Sequence, residues 1–260
     1  VEFVRDKLPA PLQIATLNFL LSQAERATTA MLRLRGEEVS AIVSERYAAL
    51  DAAEFVDALR AALVRHGMLA EVRVRAVATG LVDLMRLTFP SEQHETAVGD
   101  VTHIGLDIST SSFGRSAIHI RGLLWRLVCL NGLRTPSGMG DFSLRHVGEP
   151  ARLRDAVAEA IPTAVAHARG LVDDWRRSVA AEVENLPALI EGLRDLTEPE
   201  RKAVRLELGA REPKQLPERT SLFSLVNAVT AAAHGSEPAR RLEIESIAGG
   251  ILVDQNRRAA

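Results

Sequence analysis

The chain reads as an α+β protein: a twisted, mostly antiparallel sheet with packed helices, followed by a C-terminal helical region. Three observations predict this. Between residues 31 and 128, apolar side chains recur with a period of two, in runs broken by Gly-containing turns. Beyond Glu149-Pro150 the period becomes that of a helix. Residues 132–148, rich in Gly, Ser and Pro, mark the change between the two. We therefore expect a strand-rich core over residues 1–148. A helical region over 149–260 would pack on that core or on a neighbouring subunit.

Taken in order, residues 11–26 carry apolar side chains at helix-compatible spacing (Ile14, Leu17, Leu20, Leu21). Residues 31–35 and 39–43, around Gly36, predict a hairpin. Asp51 and Glu54 have the spacing of a capping box, so a helix should follow through Phe55, Leu59 and Leu63 to His66-Gly67. Residues 71–77 alternate Arg with Val, and 82–89 form a second run beyond Thr79-Gly80; residues 90–98 read as a polar connection. A further strand pair is expected at 102–109 and 116–128, with Asn131-Gly132 as a turn that tolerates positive φ. In the helical half, 151–183 is periodic with interruptions at Pro162 and Gly170. Shorter helices follow at 185–196 and 198–208, and a last pair at 220–234 and 237–252.

Composition narrows the function. The 260 residues are 47% hydrophobic and 25% charged, which suits a globular chain and not a disordered one. No apolar run approaches the roughly 18 residues that span a bilayer. The first ten residues lack a charged-then-apolar leader pattern and lack Met, as in a chain numbered from inside a longer one. A single cysteine, Cys129, excludes an intramolecular disulfide framework and a multi-Cys zinc site, so a cytoplasmic location is expected. The net charge of −2 argues against a surface that coats polyanions throughout, although a local basic face remains open. Of 32 basic residues only Lys7, Lys202 and Lys214 are Lys; the rest are Arg, the better phosphate fork.

No complete catalytic or metal constellation is legible. Cys129 lies in an apolar run and is expected to be buried and chemically quiet. His94 with Glu95, or His103 with Asp107, offers too few ligands for a tetrahedral site. Gly138-Met139-Gly140 is a turn and not a phosphate loop. We expect no cofactor and no metal, and an enzyme stands third among the readings, behind a nucleic-acid-binding and a structural protein.

Four strings carry a resemblance. They are Ser44-Glu45-Arg46-Tyr47, Gly99-Asp100 before a strand, Arg126-Leu127-Val128-Cys129-Leu130-Asn131-Gly132, and residues 223–230 with 231–234 after them. Together they make the chain similar to the domain of unknown function 932 family, found largely in phages, prophages and plasmids. The likeness covers roughly residues 30–250 and departs after Gly99-Asp100, where Ser109-Thr110-Ser111-Ser112 stands in place of an Asn-Ser string. It implies the company of mobile-element DNA processing and no catalytic residues.

The Arg positions supply the functional expectation. Arg33, Arg35, Arg73, Arg75 and Arg121 fall on the polar parity of alternating strands, and Arg115 and Arg126 add to a local basic excess. On one face of a common sheet they would form a groove for backbone phosphates, with too few aromatics for base reading. The expected function is sequence-independent binding of single-stranded DNA, with strand annealing as a further role by analogy of fold. The alternative is a non-catalytic structural or assembly protein of a phage or plasmid system. Homo-oligomer formation is expected from the apolar stripe Leu222, Leu225, Val226, Val229 and Ala233.

Overall fold

The computed structural model describes residues 30–35, 38–44, 46–48, 50, 52–68, 72–78, 83–96, 99–111, 114, 116–127, 131–136, 141–209 and 216–259. The expected helix at 11–26, the Asp51 cap, Cys129 and Arg115 lie outside these residues. Strands β1 (Ala30–Arg35) and β2 (Glu38–Ser44) form an antiparallel two-stranded sheet of their own. Helix α1 (Ala52–Arg65) follows, burying Phe55, Leu59, Ala62 and Leu63.

The second sheet holds β3 (Arg73–Ala78), β4 (Asp83–Glu95), β5 (Val101–Thr110), β6 (Ile118–Arg126) and β7 (Asn131–Arg134), in that order. Strand β8 (Phe142–Leu144) pairs with the beginning of β6, beyond β7. All pairings are antiparallel. Strand β4 runs past the expected connection: it continues through Pro90 to Glu95, with a register shift between Phe89 and Gln93. A bulge is where a strand tolerates a residue that cannot donate to the ladder.

Asn131-Gly132 is also not a turn. Both residues pair with β6 inside β7, and Gly132 is absent from the positive-φ glycines. A Cβ there would lie 2.9 Å from Leu123 Cδ1 and 3.1 Å from both Arg86 Nη1 and Glu245 Oε1, so the glycine makes room for side chains.

Helix α2 (Pro150–Ser178) is continuous through Pro162 and Gly170, giving up one backbone bond at the proline. Its stripe of Val157, Ile161, Ala164, Val165, Ala168, Val172 and Trp175 is buried. It covers the sheet face built from Leu87, Ile104, Leu106, Ile108, Ile120 and Leu124. Contact is closest at Gly122, where a Cβ would come within 2.9 Å of Ala164 O and Ala168 N.

Helices α3 (Leu186–Gly192), α4 (Glu198–Glu207) and α5 (Leu222–Ala231) lead to α6 (Pro238–Ala259), which lies across β7 on the opposite face. Gly249 permits that crossing: its missing Cβ would sit 1.8 Å from Arg134 O. The stripe Leu222, Leu225, Val226, Val229 and Ala233 is at most 1% exposed and belongs to the core. It is spent within the chain, so it offers no apolar face to a second copy. No helix among the described residues is long and apolar enough to cross a membrane.

Candidate functional site

Three of the four sequence strings meet at one guanidinium. Gly99, at φ +79°, delivers Asp100 to the start of β5, while Arg126 ends β6, paired with Thr102 of β5. Arg126 Nε donates to Asp100 Oδ1, and its Nη1 donates to Asn227 Oδ1 of α5 at 2.6 Å. The same guanidinium lies 5.3 Å from the ring of Phe223, which packs 4.6 Å from Trp175 of α2. Arg126 therefore joins sheet to helices. The remaining string does similar work. Tyr47 stacks on His146 at 5.2 Å and donates its hydroxyl to Ser111 O at 3.0 Å, fastening the exit of β2 to the large sheet.

A second cluster lies under α6. Directly opposite residues of antiparallel strands share a face. The pairs Arg75↔Arg86, Arg86↔Asp107 and Asp107↔Arg121 therefore run as one row across four strands. Arg86 grips Asp107 through two bonds of 2.7 and 2.6 Å and donates to Glu245 Oε2 at 2.5 Å. Glu245, fully buried, also accepts from Gly132 N at 3.0 Å and from Arg241 Nε at 3.1 Å. Arg134 lies 3.0 Å from Asp107 and donates to Leu242 O at 2.9 Å. Arg121 reaches Asp141 at 3.4 Å and Ser246 Oγ at 3.1 Å.

The electrostatics follow from this crowding. Burial alone would push the Asp107 carboxyl up, but Arg86 and then Arg134 overcome that and hold it below its usual range. Burial likewise works against the charge on Arg86, yet Asp107 and Glu245 outweigh it and raise that guanidinium further. Arg134 goes the other way: burial lowers it, and its carboxylate neighbours do not make up the difference.

Two clefts open beside α6. One, of about 290 Å³, has Leu84, Leu242 and Trp125 in its apolar lining, with Arg75, Arg86 and Arg241 beside them. Arg86, Arg75 and Arg241 lie 4.6, 5.3 and 5.8 Å from the Trp125 ring. The other, of about 580 Å³, is bordered by Ser109, His119, Arg121, Arg134 and Ser246. Among the described residues, no cluster of three or more His, Cys, Asp or Glu could hold a metal.

The expected groove is thus rearranged. Arg73, Arg75 and Arg121 do share one face of the large sheet, but α6 covers much of it and Arg121 is paired there. Arg33 and Arg35 sit in the separate hairpin sheet, so the common sheet expected for them does not exist. Arg126 is absorbed by Asp100 and Asn227. Arg73 and Arg75 remain exposed, with no carboxylate partner among the described residues. Reading the sequence missed Arg86, Arg134, Arg241 and Glu245. The signal available was a polar parity in β4 and β7 matching that of β3 and β6.

Fold and clusters define an α+β protein whose sheet is covered by helices on both faces, with its family strings placed at the joints. The chain belongs to the family described as Domain of unknown function (DUF932), whose model matches residues 39–248. Comparison with curated proteins and with solved structures returns no match.

Proposed function

We propose that the protein binds single-stranded nucleic acid without sequence preference, through backbone phosphates held at the β3 edge. One observation carries this reading. Arg73 and Arg75 project from the same face of a terminal strand, exposed and without carboxylate partners among the described residues. Arg241 lies near Arg75 around Trp125, so the cationic edge leads into a cleft with an aromatic wall. Phosphate contacts of this kind carry affinity and little sequence information. With Trp125 only 5% exposed, base stacking adds little, which fits tolerance of sequence. The family's company on mobile elements, inferred from the resemblance, agrees with a role in DNA processing.

A second reading has its own support. Among the described residues, strand β3 ends the sheet order and exposes Val74, and a sheet edge of this kind is a template for pairing with another chain. On that reading the protein is a structural or assembly component.

Fluorescence anisotropy with labelled oligonucleotides at two salt concentrations separates the two. Strand binding predicts affinity that falls steeply with salt, similar for unrelated sequences. Arg73→Glu with Arg75→Glu should weaken all sequences alike and flatten the salt slope by about 0.7 per lost contact. Folded protein that binds no oligonucleotide at low salt, yet sediments as an oligomer, leaves the assembly reading standing.

A further inference from the structure

The larger cleft beside α6 holds more donors than acceptors. Ser246 Oγ accepts from Arg121 Nη1 at 3.1 Å and from Arg134 Nη1 at 3.4 Å. A hydroxyl has two lone pairs and one proton, so Ser246 with both lone pairs engaged keeps a proton to donate. On the neighbouring side chains, His119 Nδ1 and Arg121 Nε are buried without a hydrogen-bond partner. Arg134 is 5% exposed, and its Nε is within ion-pair distance of Asp107 but not aligned for a hydrogen bond.

Buried cationic groups crowd the same cleft: Arg121 and Arg134 both reach Ser246 there. At the rim, Glu243 is engaged by Arg240 at 2.7 Å and Asp195 is exposed. Burial depresses Arg134, and burial followed by the charge of Arg121 depresses His119, as expected where buried cationic groups stand close together.

We propose that this cleft is a binding site for a small oxyanion of phosphate type, held by Ser246, His119, Arg121 and Arg134. The shared chemistry is a phosphate group, whether free or on the end of a nucleotide. The site is separate from the strand-binding edge. Arg121 stands on β6 and Arg75 on β3, three strands away, or about 14 Å at normal strand spacing. The cleft volume, about 580 Å³, exceeds what a bare phosphate needs and leaves room for a group attached to it.

The test is calorimetric titration of the full chain with inorganic phosphate at fixed ionic strength, followed by a nucleoside 5′-monophosphate. A labelled oligonucleotide without a terminal phosphate forms a separate arm. Phosphate should saturate one site and raise the melting temperature. Ser246→Ala and His119→Gln should each weaken it roughly tenfold, the loss of one charge-assisted hydrogen bond. Arg73→Gln should leave it unchanged. Tighter binding of the monophosphate identifies a nucleotide as the source, and equal binding identifies the free ion. Absence of a saturable site overturns the proposal. So does binding unchanged in both folded variants, or equal stabilisation by chloride at matched ionic strength. If the oligonucleotide binds and phosphate does not, this site falls and the strand-binding reading stands. If phosphate binds and the oligonucleotide does not, the site stands and the strand-binding reading falls.

Discussion

The two faces of the large sheet are covered in opposite ways. Toward α2 the sheet presents Leu87, Ile104, Leu106, Ile108, Ile120 and Leu124, all nearly inaccessible, and the helix answers with Ala, Val and Ile. Toward α6 the same strands present Arg86, Asp107, Arg121 and Arg134, and the helix answers with Glu245 and Arg241. The first face asks only that side chains be apolar and of suitable volume. The second asks for particular charges in particular places, because each unpaired member would leave a buried ion uncompensated. One face is tolerant and the other is specific.

The comparison breaks first at Glu245. Its replacement by Ala removes one of the two carboxylates that hold Arg86, the carboxylate bonded to Arg241 and an acceptor from Gly132 N. Urea denaturation should show a loss of about 3–5 kcal/mol. A loss below about 1 kcal/mol would mean that the charged face is no more specific than the apolar one.

On the α2 face, Leu106→Ala should cost about 2–5 kcal/mol as a simple cavity, while Leu106→Met should cost less than about 1.5. A Met variant as damaging as the Ala variant would remove the claim of tolerance.

The adjacent glycines of α6 sharpen the contrast at lower cost. Gly249→Ala drives a Cβ into Arg134 O and should destabilise by about 1–3 kcal/mol. At Gly250 the nearest atom is 3.8 Å away, at Pro136 Cβ. Ala there should stabilise by about 0.5–1 kcal/mol through helix propensity. Equal effects at the two positions would place the helix at another distance from β7.

Acid should give the smallest effect. Arg240 on α6 donates to Glu200 at 2.9 and 2.6 Å, and with help from Thr197 holds that carboxyl down at about 2. Because its folded pKa lies below its unfolded value, this stability is present above about pH 4.5 and is lost as pH falls toward 2. Glu200→Gln should therefore flatten the stability curve across that window, read from urea midpoints at successive pH values.

The apolar face was legible because a period of two in β4, β5 and β6 and a helical period in 150–178 each declare a buried side without reference to the other. Arg73, Arg75 and Arg121 were placed correctly by parity for the same reason. Local sequence carries no such message for Glu245, whose partner Arg86 is 159 residues away. Gly132 was misread as a turn because the side chains that need its space come from β4, β6 and α6. Arg126 looked like surface charge because Asp100 and Asn227 reach it only through strand pairing and the docking of α5.

The order of synthesis gives the charged face another consequence. Helix α6 follows in the chain everything it covers, so a growing polypeptide can assemble β3 to β8 and α2 before α6 exists to dock. Bringing Glu245 to Arg86 closes a loop of 159 residues, a contact of the slow, non-local kind. During that wait the face turned to water carries guanidinium and carboxylate groups, which hydrate well, while most of the aliphatic surface is already shut under α2. An unfinished chain that shows its neighbours ions instead of bare hydrocarbon is poorly suited to sticking to them.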